Sequence, residues 1–221
     1  MGNTLLGALA ANDAYRVIAV TRPTPSEGSQ TLPENSERLI RETADLSSFA
    51  GITALEASIA KRNMDLDWLV FAHGFIDSET MIEKQRPEDI LTTFQVNVLS
   101  VIHLCQLFLK HMRDGSGIIC VSSTAGLEAN GRYAAYSASK AAVNNFMQGL
   151  ARNRPALTVF TVCAGPTRTA MLEKIGGDVA GAQDVRAVTD VILRLMARPA
   201  DYKSGDLIVV RESQVTLGGR L

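Results

Sequence analysis

The chain has 221 residues, and its 22 Lys and Arg against 23 Asp and Glu give a formal net charge of −1 at neutral pH. A charge this close to zero, without blocks of like charge, excludes the basic surface that would hold a nucleic-acid backbone. Apolar residues make up 46% of the sequence, which is enough to build one hydrophobic core. We therefore predict a single globular domain over residues 1–221 with no nucleic-acid partner.

The cysteines and the apolar segments indicate the compartment. Cys105, Cys120 and Cys163 lie far apart in apolar runs, so we expect buried free thiols in a reducing cytoplasm. The spacing of the cysteines and histidines fits no metal site. No segment reaches the roughly 18 consecutive apolar residues of a membrane span, and the first residues lack a basic signal region. The prediction is a cytoplasmic protein without metal or membrane partner.

Helices and strands are predicted to alternate almost throughout the chain. In order, the patterns predict a helix at 2–12, strands at 16–21 and 38–44, a helix at 48–62, a strand at 68–72, a long helix at 88–112, a strand at 117–122, a helix at 132–152, a strand at 157–163, a helix at 182–196 and a last strand at 206–210. Residues 22–35 are predicted to form a loop. Because the strands read as continuous apolar runs, we expect an α/β fold in which helices cover both faces of a mostly parallel sheet.

One predicted helix carries the residues with the clearest chemistry. Tyr136 and Lys140 are four residues apart, so they share one helical face, where the ammonium group can stabilise a phenolate for acid/base work. Ser123 ends the preceding strand, 13 residues before Tyr136, and can donate a hydrogen bond to a substrate oxygen. Tyr133 is the competing tyrosine, but the residue four positions later is Ser137 rather than a lysine. We therefore favour Tyr136 as the acid/base.

This spacing, with the Ser-Ser-x-x-Gly strand end and the Ala-Ser-Lys-Ala-Ala context, resembles the short-chain dehydrogenase/reductase family. The resemblance implies a three-layer, doubly wound, Rossmann-like sheet. It also implies an NAD(P)-dependent oxidoreductase that interconverts a hydroxyl and a carbonyl on a small alcohol or ketone. A fourth catalytic residue is implied at Asn97, within the long helix, where it would hold a water that links Lys140 to solvent; the alternative is a solvent-facing Asn97. Family members pair through such helices, so a homodimer or homotetramer is implied.

The resemblance also implies a set of dinucleotide-binding residues. Residues 71–74, Phe-Ala-His-Gly, stand in place of the family's Asn-Asn-Ala-Gly. His73 is expected to line the cofactor pocket, and a role as a second acid/base is the less favoured alternative. The segment after Cys163 stands in place of Pro-Gly-x-x-x-Thr, which holds the nicotinamide carboxamide. The implied cofactor-binding residues are Gly2, Arg22, Asp45, Leu46, Ala72, His73, Gly74, Tyr136, Lys140, Thr167 and Thr169.

The choice between NADP and NAD depends on the end of the strand at 16–21. A carboxylate there would bind the 2′-hydroxyl of NAD, whereas an arginine would accept the 2′-phosphate of NADP. The chain has Arg22 and no acidic residue at this position, which favours NADP over NAD. NAD stays the alternative cofactor. The alternative role of Arg22 is that of a solvated arginine in a loop. Asp45 and Leu46 resemble the pair that the family places beside the adenine.

The front edge of the family pattern is missing. Family members open with a strand and Thr-Gly-x-x-x-Gly-x-Gly, of which only Met1-Gly2 remains here. The absent strand belongs between residues 16–21 and 68–72, and its loss would leave a slot about 10 Å wide, so either the sheet closes up or the fold is compromised. We expect the natural polypeptide to begin roughly a dozen residues earlier.

Two other readings stay open. A non-catalytic relative or regulatory binding protein would keep the four catalytic residues after losing the phosphate loop. A methyltransferase-like parallel-sheet protein would leave Ser123, Tyr136 and Lys140 without a role. Detectable affinity for a dinucleotide separates the oxidoreductase from the non-catalytic relative.

Overall fold

The computed structural model describes residues 1–23, 36–78, 81–212 and 214–218. The helices are α1 (Gly2–Ala10), α2 (Phe49–Ala60), α3 (Pro87–Phe94), α4 (Ser100–Phe108), α5 (Ala134–Asn153), α6 (Ala170–Lys174) and α7 (Val185–Ala197). The strands are β1 (Val17–Thr21), β2 (Leu39–Thr43), β3 (Leu66–Phe71), β4 (Met112–Ser123), β5 (Thr158–Ala164), β6 (Leu207–Arg211) and β7 (Gln214–Gly218). Each predicted helix and strand is present, while most of the loop predicted at 22–35 lies outside the described residues.

The sheet is mostly parallel, as predicted. Strands β3, β4, β5 and β6 are hydrogen bonded in this order and run parallel, and β7 adds an antiparallel strand at the edge. The prediction that the strand at 206–210 is the last one was wrong, because the chain turns at Glu212, with a φ of 49°, and returns along β6. Strand β7 has five residues, 214–218, and so short a segment shows too little alternation of apolar and polar residues to be detected.

Side chains alternate between the two faces of the sheet and form two cores. Ile118 and Cys120 of β4 belong to the core that includes α2, α4 and α5. Ile119 and Val121 belong to the core on the opposite face, which includes α1 and α7. These residues are almost completely buried, so the three-layer Rossmann-like arrangement is confirmed.

The sheet is interrupted where the absent strand was expected. Strands β1 and β2 form a separate parallel pair, and within the described part of the chain no backbone pairing joins β1 to β3. Strands β1 and β3 still contribute side chains to the same two cores. Ile18 of β1 and Leu69 of β3 lie on one face, and Val17 of β1 and Val70 of β3 lie on the other. Among the residues that the structure describes, the sheet therefore does not close up by backbone pairing, and side-chain contacts join its two parts.

The predicted buried thiols are present. Cys105, Cys120 and Cys163 are free and buried. Burial raises the pKa of the Cys120 thiol to about 11 and that of the Cys163 thiol to about 12, so both stay protonated near neutral pH. These cysteines therefore act as small core side chains.

The long predicted helix contains a change of helical type. Between α3 and α4, residues Gln95–Leu99 form a π-helical turn, which inserts an extra residue into the helical repeat. The whole segment Pro87–His111 has the length and apolar composition of a membrane-spanning helix, a criterion that core helices also satisfy. Here Val101, Leu104 and Phe108 are buried in the core beneath the sheet.

Candidate active site

Helix α5 presents Tyr136 and Lys140 at the carboxyl edge of the sheet. The Lys140 ammonium lies 5.7 Å from the centre of the Tyr136 ring. Lys140 is buried, and its Nζ donates to the carbonyl of Val121, the sole hydrogen-bond partner that the described residues give it, at 3.2 Å. An ammonium group has three donors, so two remain for a ligand or water. Tyr136 is partly exposed.

A close contact with α5 fixes the position of Ser123. After β4 the chain makes a 3₁₀ turn over Thr124–Gly126, and a Cβ added to Gly126 would lie 2.6 Å from the carbonyl carbon of Lys140. Only glycine therefore allows the turn to sit directly on the helix. The Ser123 hydroxyl accepts a hydrogen bond from the Ala125 amide at 3.1 Å, so its own hydrogen remains available to donate.

Asn97 lies inside the protein, within the π-helical turn. Its Oδ1 accepts from the Phe75 amide at 2.8 Å, and its Nδ2 donates to the Phe75 carbonyl at 2.8 Å. The same Nδ2 donates to the Ser139 hydroxyl at 3.0 Å, and Ser139 in turn donates to the Tyr136 carbonyl at 2.7 Å. The alternative of a solvent-facing Asn97 is excluded, because the residue is 2% exposed. Asn97 thus joins the segment after β3 to the helix that carries Tyr136.

His73 also contacts the long helix. Its Nε2 lies 2.8 Å from the Ser100 hydroxyl, which donates to the carbonyl of Val96 at 2.6 Å. Burial, and then the positive charge of Lys140, lower the pKa of His73 from 6.5 to about 4. The imidazole is therefore uncharged at neutral pH, which argues against a second acid/base at this position.

Gly74 lies between Asn97 and Lys140 and forms the floor of the candidate site. A Cβ added there would lie 3.4 Å from Asn97 Oδ1, 3.5 Å from Lys140 Nζ and 3.9 Å from the methyl carbon of Met171 in α6. The absent side chain thus leaves open the space beside the ammonium. Ala72 precedes this floor, is partly buried, and packs into the core that contains α1 and α7.

The segment after β5 is held by hydroxyl groups. Thr167 is buried; its hydroxyl donates to the Gly165 carbonyl at 2.8 Å and accepts from Gln183 at 3.2 Å. Thr169 caps α6, because its hydroxyl accepts from the Leu172 amide at 3.4 Å while it donates to the Thr167 carbonyl at 3.2 Å. Both threonines therefore lie at the sheet edge with their hydroxyl groups engaged within their own loop.

The other candidate cofactor-binding residues lie in the part of the fold that contains β1 and β2. Arg22 is exposed directly after β1. Asp45 follows β2, and hydrogen bonds from the side chain and amide of Ser47 lower its pKa. Leu46 packs against the core that contains α2, and Gly2 is the exposed first residue of α1. No hydrogen bond or ion pair found among the described residues joins this group to Lys140 or its neighbours in the site.

Sequence reasoning missed several residues that hold the site together. Gln183 is buried and also donates to the Val210 carbonyl at 3.0 Å, so it links the segment after β5 to β6. Asn144, one turn beyond Lys140, is completely buried and donates to the Gly126 carbonyl at 3.2 Å. A polar residue at a position where helical periodicity predicts burial is the signal that could have identified Asn144.

Comparison with known proteins gives the class of this fold and then its family. A short-chain dehydrogenase family protein from Francisella tularensis superposes with a TM-score of 0.79 over 93% of this chain and 90% of that chain, at 19% identity. A second one, from Burkholderia cenocepacia in complex with NADP, gives 0.71 over 78% and 75% of the two chains at 24% identity. Both show a Rossmann-like α/β fold. The family model for short chain dehydrogenases matches residues 1–180, and the chain belongs to the short-chain dehydrogenase/reductase family of oxidoreductases.

Two relatives extend the similarity over most of the sequence. Carbonyl reductase family member 4 of Danio rerio is 25% identical over 213 residues, which cover 94% of this chain and 86% of that protein. An uncharacterized oxidoreductase of Schizosaccharomyces pombe is 28% identical over 178 residues, which cover 80% and 71% of the two chains.

Proposed function

We propose that this chain is an NADP(H)-preferring oxidoreductase that interconverts a hydroxyl and a carbonyl on a small organic substrate, with Tyr136 as the acid/base. The observation that carries the proposal is the buried ammonium of Lys140, which lies beside the Tyr136 ring and has donors left over. A fixed positive charge in a site of low dielectric stabilises the phenolate that remains when the tyrosine gives up its proton. The whole chain, residues 1–221, would form one dinucleotide-binding and catalytic unit.

The proton moves between Tyr136 and the substrate oxygen. In the direction of reduction the tyrosine hydroxyl protonates the developing alkoxide, and in the direction of oxidation the phenolate accepts the proton of the alcohol. Ser123 has its hydroxyl hydrogen free to donate to the same oxygen. Asn97 and Lys140 would link the tyrosine to solvent through water. A nicotinamide dinucleotide, when bound, supplies or accepts the hydride.

The residues present fit the nicotinamide end of such a cofactor. Gly74 leaves space beside Lys140, whose free donors match ribose hydroxyl groups. Thr167 and Thr169, at the same sheet edge, would hold the carboxamide. Ala72 and His73 would line this pocket. Support from relatives comes from the NADP complex of the Burkholderia cenocepacia protein and from a related blue fluorescent protein in complex with NADPH.

The adenine end sets the preference between the two dinucleotides. Arg22 is exposed after β1, where it can accept a 2′-phosphate, and this supports NADP, with NAD as the alternative. Asp45 and Leu46 would contact the adenine, and Gly2 would lie near the pyrophosphate at the first turn of α1.

The substrate, assembly and location complete the proposal. The name of the zebrafish relative, a carbonyl reductase family member, supports an alcohol or ketone as substrate. Leu91 and Leu99 on the long helix are 70% and 41% exposed, and Phe49 on α2 is 51% exposed. Exposed apolar side chains of this size favour a homodimer or homotetramer. The location would be the cytoplasm.

Thermal unfolding with NADPH, NADH or neither tests the cofactor proposal, because a ligand that binds only the native state raises its stability. We expect a shift with NADPH that exceeds the shift with NADH, and R22A should abolish the difference. Y136F should then remove carbonyl reduction, whereas Y133F, which loses only the hydrogen bond to the Ile175 carbonyl, should retain it. No shift with either dinucleotide would contradict the proposal and favour the non-catalytic relative.

A further inference from the structure

His73 makes a hydrogen bond to the long helix that the proposed chemistry does not use. Its Nε2 lies 2.8 Å from Ser100 Oγ, and Ser100 Oγ lies 2.6 Å from the carbonyl oxygen of Val96. A hydroxyl group has a single hydrogen, and a carbonyl can only accept, so the hydrogen of Ser100 points to Val96. With the Ser100 hydroxyl donating to Val96, His73 donates to Ser100, and its ring also makes a hydrogen bond to the backbone of Val96.

The bond closes the π-helical turn. The Ser100 amide donates to the Gln95 carbonyl, five residues back, instead of to Val96. The Ser100 side chain then satisfies the carbonyl of Val96, and His73 holds the Ser100 hydroxyl in that orientation. Ser100 is completely buried, so its hydroxyl depends on partners inside the protein.

The same turn carries Asn97, which binds the backbone of Phe75 through both its amide oxygen and its amide nitrogen. The segment after β3 is thus attached to the turn at two points, His73 and Phe75. Gly74, the floor beside Lys140, lies between them. Movement at either point would displace Gly74 relative to the ammonium.

We propose that His73 is a positioning residue that, through Ser100, fixes the π-helical turn and so holds Asn97 and Gly74 in place beside Lys140. The imidazole is uncharged at neutral pH, which suits a fixed donor next to an ammonium. The effect on dinucleotide binding rests on the proposed function, whereas the effect on the turn does not.

The first test measures hydrogen exchange of the Phe75 amide by NMR, which reports on the turn without any ligand. We expect H73A and S100A each to speed this exchange about three- to tenfold, the range set by the loss of one neutral hydrogen bond. H73Q, which keeps a donor of similar reach, should restore slow exchange. The double variant H73A/S100A should exchange no faster than S100A, because S100A already removes the bond to His73. If H73A does not fold, S100A carries the test.

The control is H103Q, since His103 lies on α4 like Ser100 but contacts Phe49, Thr53 and Gln106 instead of the turn. H103Q should leave the exchange of Phe75 unchanged. Equal exchange rates in H73A, S100A and the wild type would overturn the proposal, as would effects of H73A and S100A that simply add.

The second test measures dinucleotide affinity and steady-state kinetics. H73A should raise KM for the dinucleotide by a larger factor than it lowers kcat, and H73Q should recover most of that loss, because a misplaced floor weakens binding first. An unchanged KM in H73A would overturn the proposed effect on the site. If the wild type binds no dinucleotide while Phe75 exchange responds as expected, the proposed function fails and the role of His73 in the turn stands.

Discussion

The stability of the protein should depend on pH through His73. The imidazole has a pKa of 6.5 in the unfolded chain and about 4 in the folded one, because it is buried next to Lys140. Between these two values the unfolded state binds more protons than the folded state, so stability falls as the pH falls. The contribution of His73 is fully present above about pH 6.5 and is lost progressively towards about pH 4.

The size of the effect follows from the shift in pKa. One pKa unit corresponds to about 1.4 kcal/mol, so the difference between 6.5 and about 4 amounts to about 3 kcal/mol in total. Since both states protonate along ordinary titration curves, about 2 kcal/mol of this is lost at about pH 5. For a chain of 221 residues that corresponds to a decrease of about 4–8 °C in Tm.

The assay is calorimetry or denaturant unfolding of the wild type and H73Q at about pH 7.5 and about pH 5. Carboxylates titrate in both proteins, so the comparison isolates residue 73. We expect the wild type to lose about 2 kcal/mol more than H73Q between the two pH values. Equal losses in the two proteins would refute the reasoning, because they would mean that the folded state protonates His73 as easily as the unfolded chain does.

Three further results are expected. G126A should lower the free energy of unfolding by about 3 kcal/mol in urea titrations, because its Cβ would lie 2.6 Å from the backbone of Lys140; G149A, where a Cβ meets nothing within 4 Å, should raise it by about 0.5–1 kcal/mol. E56Q should cost about 1 kcal/mol near neutral pH, and this cost should vanish as the pH falls through the carboxyl range, since hydrogen bonds from His111 and Lys110 lower the pKa of Glu56. In hydrogen-exchange mass spectrometry, amides of β1 and β2 should exchange at least about tenfold faster than those of β4 and β5, and equal rates would contradict the view that side-chain contacts without backbone pairing join the two parts of the sheet.

The sequence predicted the order of helices and strands because buried parallel strands leave a strong local pattern. Residues 118–121 are apolar without interruption, and β4 is indeed covered on both faces. The spacing of Ser123, Tyr136 and Lys140 likewise predicted which residues share the sheet edge, since a strand end and one helical face fix their positions. In these cases local periodicity and tertiary position carry the same information.

The features that escaped prediction depend on contacts between distant residues. Residues 88–112 were predicted as one long helix, but hydrogen bonds between Asn97 and Phe75 and between His73 and Ser100 stabilise a π-helical turn within it. Helix α6 has five residues and begins at the cap of Thr169, so its apolar pattern is too short to detect. Helical periodicity reports which face is buried and contains no information about an inserted residue.

The two parts of the fold are held together to different extents, and this difference affects how a dinucleotide that binds to both parts would use its binding energy. Around the candidate active site, strands β3 to β6 are paired continuously, and the side chains of Lys140, Asn97 and Asn144 donate to backbone carbonyl groups of neighbouring segments. Within the described segments of the chain, strands β1 and β2 are backbone partners of each other and of no other strand, and they carry the candidate adenine site. A dinucleotide that contacts Arg22 and Lys140 together would span this junction. Its binding energy would then serve partly to hold the β1–β2 part in place, so apparent affinity and the stability of that part must be coupled.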